Sequence, residues 1–271
     1  MTKIKIVSWN VNSVNARLDS VLFYLNETKP DVVLLQEIKC ENEKFPLAEI
    51  EDLGYNCEVF GQKSYNGVAI LSKFPIADVV RNFNIDDVQS RYIEAVIELP
   101  NQAIRVASIY VPNGGAVLEE GQKLNESERF IYKMNFFDGL KARMQKLLRF
   151  NEIAVFGGDY NVALENIDVF DSKGLKNKLC FHDDEKRKMR ALLNLGLDDS
   201  FRMKKPELQN FSWWDYRGNC WGYNKGMRID YLLTSPKATD LIESAFMDDE
   251  LMMNRQKPSD HCPVAVELKL N

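Results

Sequence analysis

Histidine is the scarcest reactive residue in this 271-residue chain, present only as His182 and His261. That excludes a metal centre built on several imidazoles. A bound cation would be held mainly by oxygen, which favours Mg²⁺ or Mn²⁺. The five cysteines, Cys40, Cys57, Cys180, Cys220 and Cys262, are odd in number, widely spaced and without a CxxC pair. This argues against a zinc ribbon or a disulfide framework and suits a reducing cytoplasm. No apolar run nears the ~20 residues of a membrane span, and residues 1–11 enter a strand pattern without a signal-peptide-like stretch. The expectation is a soluble, cytoplasmic protein with no membrane partner. Repeats, low-complexity tracts and Pro/Ser-rich linkers are also lacking, so residues 1–271 read as one domain. The formal charge, 35 − 40 = −5, argues mildly against a nonspecific nucleic-acid binder. A basic rim around an acidic centre would not show in that total.

What is present is a regular alternation of strand and helix patterns. Lys3–Trp9 alternates like a strand and ends at Asn10-Val11-Asn12. Val14, Leu18, Val21, Leu22 and Leu25 then recur at helical spacing up to Lys29-Pro30. Asp31–Gln36 is nearly all apolar, as in a buried strand, and delivers Glu37 at its end. This β-α-β start predicts a parallel pair with Asn10 and Glu37 at one sheet edge. Strand patterns follow at Tyr55–Phe60, Gly67–Leu71, Ile76–Val80, Arg91–Leu99 and Ile104–Val111. A helix is expected from about Glu126 to Arg149, with Asn125 and Glu128 as its capping pair. Ile153–Phe156 is read as a buried strand, residues 164–182 as a loop and Asp183–Leu195 as a helix. Phe211–Asp215, Arg228–Leu233 and the stretch after His261 complete the strands. Two sheets flanked by helices are the simplest account.

Polar residues stand just beyond five apolar strands: Asn10 and Asn12, Glu37, Tyr110, Asp159 and Asn161, and Asp260-His261. Singly each is an ordinary turn former or helix cap. Asp230, placed inside the strand Arg228–Leu233, is harder to dismiss, because a carboxylate among apolar neighbours needs a partner. His261 is the natural one, its tautomer and charge fixed by Asp230. The set suits metal-assisted phosphodiester hydrolysis. Glu37 would hold the cation, helped by Asn10, Asn12 or Asp260. Asp159 would orient and deprotonate water, Asn161 would position the water or the phosphate, and His261 and Tyr110 would donate to the phosphate.

Trp9-Asn10-Val11-Asn12, Leu35-Gln36-Glu37-Ile38-Lys39, Tyr110-Val111-Pro112, Gly158-Asp159-Tyr160-Asn161, Ser212–Arg217, Met227–Tyr231 and Ser259-Asp260-His261 resemble, in order, the motifs of the exonuclease III family. These are DNA-repair apurinic/apyrimidinic endonucleases within the endonuclease/exonuclease/phosphatase superfamily. The resemblance implies an α/β fold, a four-layered α-β-β-α sandwich with two mixed β-sheets face to face and helices outside. It implies incision of duplex DNA 5′ to an abasic site with Mg²⁺ or Mn²⁺, with 3′→5′ exonuclease and 3′-phosphodiesterase activities at blocked 3′ ends. By the same resemblance the metal falls on Asn10, Asn12, Glu37 and Asp260, a wider ligand set adding Asp159, Asn161 and His261. Catalysis falls on Tyr110, Asp159, Asn161, Asp230 and His261. Trp213, Met227 and Ile229 resemble the pocket for the extruded sugar, with Trp214 in the core.

Lys39, Arg91, Asn113 and Arg217 are the candidates for DNA backbone contacts. The run Glu185-Lys186-Arg187-Lys188 reads as an exposed helix face and His182 as structural or surface. Two departures from the motifs, Ser13 for glycine and Tyr160 for Phe or Met, remove no chemical group. The rival readings are another superfamily phosphoesterase (a nonspecific nuclease or a lipid or inositol phosphatase) and an inactive DNA-binding homologue. The first has no need of the Trp213 strand; the second would be expected to have lost some of Glu37, Asp159, Asp230 or His261. A monomer is expected.

Overall fold

The computed structural model describes residues 2–84, 87–115 and 122–270. Its strands in chain order are β1 (Thr2–Asn10), β2 (Val32–Gln36), β3 (Asn56–Phe60), β4 (Val68–Ser72), β5 (Ile76–Arg81), β6 (Tyr92–Glu98) and β7 (Ala103–Tyr110). Then come β8 (Ala154–Asp159), β9 (Asp198–Asp199), β10 (Trp213–Trp214), β11 (Gly226–Met227), β12 (Asp230–Thr234), β13 (Ile242–Met247) and β14 (Val264–Leu270). They form two six-stranded mixed sheets, ordered β13-β14-β1-β2-β4-β3 and β5-β6-β7-β8-β12-β9, and a small β10-β11 ladder.

Period-two alternation decides how the layers stack. In β1 and β2, Ile4, Ile6, Val32 and Leu34 meet Ile93, Val106, Val155 and Leu232 of the second sheet in one core. The opposite faces, Val7, Trp9, Val33 and Leu35, pack under helix α1 (Leu18–Thr28) and near α2 (Leu47–Glu51). Helices α3 (Glu128–Leu148) and α4 (Asp183–Leu193) cover the outer face of the second sheet through Phe137, Leu140, Met144, Met189 and Leu192. The layers are therefore α-β-β-α, as expected from the motifs. Among the described residues no helix is long and apolar enough to cross a membrane.

Two register facts place the chemistry. β1 and β2 run parallel with Asn10 opposite Gln36, so Asn10 and Glu37 emerge at the same edge. In the second sheet Tyr110, Asp159 and Asp230 lie side by side across β7, β8 and β12. Gly157 lets the sheets approach closely there: a Cβ on it would lie 2.6 Å from Leu34 Cδ1 and 2.8 Å from Leu232 Cδ2. Buried Ser8, Gln36 and Ser108 bridge the two sheets by hydrogen bonds, and Asn10 is the next inward-facing residue of β1.

Some local expectations need correction. The N-cap of α3 is Ser127, whose hydroxyl accepts from the Phe130 amide, not an Asn125/Glu128 pair. The Phe211–Asp215 pattern yields only the two-residue β10, and Asp230 is the first residue of β12 rather than interior to a strand. Strand β13 and the short helices α5 (Ser200–Lys204), α6 (Pro236–Thr239) and α7 (Asp249–Met253) were not foreseen. The Glu185–Lys188 run is not a uniformly solvated face, because Glu185 is fully buried against Lys133. His182 caps α4, its Nδ1 accepting from the Asp184 amide.

Candidate active site

The strand ends converge on a buried cluster of carboxylate, amide and imidazole. Asn10 donates from one Nδ2 to Glu37 Oε1 at 2.9 Å and to Asp159 Oδ2 at 3.0 Å, tying the two sheets together. Asn161 closes onto Asp159 from the other side: its backbone N–H donates to Oδ1 (2.9 Å) and its Nδ2 to Oδ2 (3.2 Å). His261 lies between two carboxylates, with Nδ1 2.9 Å from Asp230 Oδ2 and Nε2 3.8 Å from Asp159 Oδ2. Asp260 does not pair with His261. It accepts from Asn12 Nδ2 (2.9 Å) and Trp213 Nε1 (3.2 Å).

The turns that deliver these groups are conformationally expensive. Asn12, Ser13, Glu37, Lys39 and Asn161 all have positive φ, between 45° and 87°. Non-glycine residues reach that region at a cost of about 1–2 kcal/mol each. Ser13, at φ 87°, holds a conformation that glycine adopts without strain, so the turn keeps a glycine geometry on a serine.

Electrostatics follow from burial and proximity. Burial alone would strip His261 of its proton, but Asp230 and Asp159 outweigh it and push the imidazole up to about 10. Burial is also the main reason that Asp159 rises to about 7; the His261 charge opposes this, while Asp230 and Glu37 reinforce it. Burial would raise Glu37 as well, yet the Lys39 ammonium 2.7 Å away and the Asn10 amide hold it below the ordinary carboxylate range. Burial, then the Glu37 and Asp159 charges, push the Tyr110 phenol well above its usual range, so it stays a proton donor. At neutral pH the cluster therefore presents a cationic imidazole, a neutral phenol and a carboxyl poised to take a proton.

Two donor sets fit a divalent cation. One oxygen or nitrogen from each of Asp159, Asp230 and His261 lies within 4.8 Å of the others, and Asp230 Oδ1 is buried with no partner. In that set His261 Nδ1 already faces Asp230 Oδ2 at 2.9 Å, which leaves Nε2, 3.8 Å from Asp159 Oδ2, as its remaining donor. Glu37, held ionised beside Asn10, is the better anchor; its Oε2 and Asn12 Oδ1 share the Lys39 ammonium, and Asn12 Nδ2 donates to the Asp260 carboxylate.

A cavity of about 530 Å³ opens beside this cluster. Glu37, Tyr110, Asp159 and His261 line one wall; Trp213, Met227 and Ile229 line another. The apolar wall extends further than the sequence suggested, through Phe170, Leu175, Leu179 and Cys180. Among the described residues, a hollow of similar size against α3 is lined by a single carboxylate, Asp87, with no comparable convergence. Trp214, facing away from the cavity, is buried in the core as expected.

The candidates for DNA backbone contact fall in different places. Lys39 bridges Glu37 and Asn12 Oδ1, and Asn113 donates to Asn161 Oδ1 at 3.2 Å. Arg91 stacks 4.7 Å from the Tyr110 ring centroid. Arg217 is highly exposed and clamped to Asp215 at 2.8 Å. The loop after Tyr110 is described as far as Gly115; residues 116–121 lie outside the described residues.

Several supporting side chains escaped the sequence reading. Ser212 Oγ donates to Asp230 Oδ2 (2.6 Å) and accepts from the Ile229 and Asp230 amides. Ser259 Oγ donates to the Asn10 carbonyl (2.7 Å), and the Trp9 indole donates to the His261 carbonyl (3.0 Å). Arg17 binds the Asn12 carbonyl and the Tyr216 hydroxyl. Arg228, fully buried, pairs with Asp168 and Asp199 directly beneath the Met227–Asp230 segment.

This fold and site are those of a metal-assisted phosphoesterase, and the comparisons with known proteins agree. Residues 7–261 match the Endonuclease/Exonuclease/phosphatase family, and the chain belongs to it. It is similar to exodeoxyribonuclease III of Haemophilus influenzae, 32% identical over 276 residues that cover 98% of this chain and 100% of that protein. Its identity to the exodeoxyribonuclease of Bacillus subtilis is also 32%, over 273 residues covering 99% of this chain and 100% of that one. Among solved structures, an AP endonuclease from Archaeoglobus fulgidus superposes with a TM-score of 0.90 and 34% identity, covering 98% of this chain and 100% of that one. A 3′ phosphatase from Neisseria bound to a product DNA hairpin gives the same figures. The resemblance to the exonuclease III family holds over the full length. The protein is a DNA-repair nuclease and DNA is its substrate.

Proposed function

We propose that residues 1–271 act as one catalytic domain, a monomer, that hydrolyses the phosphodiester 5′ to an abasic site in duplex DNA. The supporting observation is the position of Asp159: held by Asn10 and Asn161, 3.8 Å from a cationic His261, and beside a cavity with an apolar wall. Asp159 takes the proton of the attacking water as its oxygen bonds to phosphorus. The bond from phosphorus to the upstream 3′ oxygen breaks, and that oxygen leaves with the electron pair and takes a proton from solvent, giving a 3′-hydroxyl and a 5′-phosphate on the abasic sugar. His261 and Tyr110 donate to the non-bridging oxygens, where negative charge grows. Asp230 and Ser212 fix the His261 ring and keep it charged. Glu37, with Asn10, Asn12 and Asp260, would hold Mg²⁺ or Mn²⁺, whose charge would neutralise the phosphate and the departing oxygen.

The Trp213–Met227–Ile229 wall fits a sugar that has lost its base, since extrusion costs least where no base pair is broken. The same site would act on blocked 3′ ends and, more slowly, on 3′-terminal nucleotides. The test is a duplex with one abasic analogue, incubated with Mg²⁺ or Mn²⁺ and then with EDTA. A metal-dependent nick 5′ to the lesion is expected. Equal cutting within undamaged duplex, or cleavage of lipid or inositol phosphates instead, would sink the proposal in favour of another phosphoesterase. No cleavage at all would point to an inactive DNA-binding homologue.

A further inference from the structure

We propose that Lys133, on the inner face of α3, is a positioning residue for the reaction. Its ammonium sets the spacing of the two loops that carry Asn113 and Asn161. The inference rests on the assignment of Asp159 and Asn161 to the chemistry.

Lys133 is fully buried, and its Nζ meets three acceptors: the Asn113 carbonyl (3.1 Å), the Asn161 carbonyl (2.7 Å) and Glu185 Oε1. An ammonium has three donors on a compact centre, and here each is used. The two carbonyls belong to the loops after β7 and β8. The side chains of the same residues meet across the gap, Asn113 Nδ2 donating to Asn161 Oδ1, and Asn161 holds both oxygens of Asp159. The lysine stem also supports the first loop from below: a Cβ on Gly114, whose φ is 81°, would lie 2.8 Å from Lys133 Cδ. Glu185 accepts the His182 amide as well, so α4 is registered to the same point. Fold stability does not account for this pair, because well-packed apolar residues in place of a buried ion pair often leave a protein as stable or more so. What apolar residues could not do is bind two loop carbonyls at once.

The decisive variant is Lys133→Met combined with Glu185→Gln. It removes both charges together, and the glutamine keeps an acceptor for the His182 amide. On an abasic duplex with Mg²⁺ it should retain a cooperative melting transition and KM while kcat falls about 10²-fold, the scale of a misplaced catalytic group. Glu185→Gln alone leaves the lysine on its two carbonyls and should keep nearly full kcat. Leu140→Ala, in the α3 core away from the site, should lower the melting temperature without this loss of kcat. Gly114→Ala is a second probe, at a buried loop position where the added Cβ meets the lysine stem and the backbone φ is 81°, and should lower kcat with KM unchanged. Full kcat in the double variant overturns the proposal. So does a kcat loss in Leu140→Ala matching that of the double variant, or a Gly114→Ala effect confined to KM. If the double variant does not fold, Gly114→Ala decides by the same criterion. Asp159→Asn is measured alongside: activity retained there would refute the assignment of Asp159 itself rather than the lysine's role.

Discussion

Replacing Asp230 by asparagine should convert a permanently charged histidine into one that titrates near neutrality. At 2.9 Å, two unit charges in an effective dielectric of about 20 interact by roughly 6 kcal/mol, or about 4 pKa units at 1.36 kcal/mol each. The Asp159 and Asp260 charges would remain, and so would the burial that opposes protonation. His261, now at about 10, should fall to roughly 6–7 in Asp230→Asn. Below that pH the variant still offers a cationic donor; above it, a neutral one. The ratio of variant to wild-type kcat/KM on an abasic duplex should therefore be lowest at pH 8, down by about 10²–10³, and rise toward pH 6. With only two histidines, the ring protons can be followed directly by NMR in metal-free protein, His182→Gln assigning the resonances. Linkage gives a second check. A raised histidine pKa stabilises the fold fully below its unfolded value of 6.5 and progressively less as pH rises through 10. Asp230→Asn should erase that decline. If His261 titrates in the variant as it does in the wild type, or the activity ratio is flat with pH, Asp230 is not what charges the imidazole.

Ser212→Ala removes the hydroxyl that serves Asp230 and two backbone amides; denaturant titration should show a loss of about 1–3 kcal/mol, and kcat should fall more than KM changes. Trp213→Ala opens the apolar wall of the cavity; selectivity for abasic over undamaged duplex should drop, and competition assays with the two duplexes measure it. Arg228→Met takes the buried cation from Asp199 while Asp168 keeps Arg202, a destabilisation of about 3 kcal/mol that calorimetry would register, and a variant melting with the wild type would refute the accounting.

The sequence made the site visible where chemistry coincides with pattern. Asn10 and Asp159 end apolar strand runs, Glu37 follows one and His261 precedes one, and the parallel β1–β2 pairing could be read from one β-α-β unit. The serines were invisible for a different reason. Ser259 acts on Asn10, 249 residues away, and Ser212 on Asp230, 18 away across a short ladder; nothing local marks either as special. Lys133 and Glu185 did leave a signal. Lys133 lies three residues after Phe130 and four before Phe137, on the apolar stripe of α3, and Glu185 shares the face of Met189 and Leu192. Opposite charges on the inner stripes of two helices covering the same sheet are a pattern for a buried pair. Taking Glu185–Lys188 as one charged run hid it. The two-residue ladders β9, β10 and β11 are too short for periodicity to register and exist through pairing alone.

The small ladder around β10 constrains how substrate preference can diverge. Trp213 pairs with Met227 on one side and bridges to the His261 backbone on the other, while Met227 also bridges to Val169. Recognition and catalysis thus share one set of backbone hydrogen bonds. A slip of one residue would turn Trp213 out of the cavity and Trp214 into it, and would displace the histidine in the same movement. New specificities in a lineage with this arrangement must come from exchanging side chains within the existing register, because the connection between Asp215 and Lys225 is itself tied back, Tyr216 to Arg17 and the Pro258 carbonyl and Trp221 to Trp214.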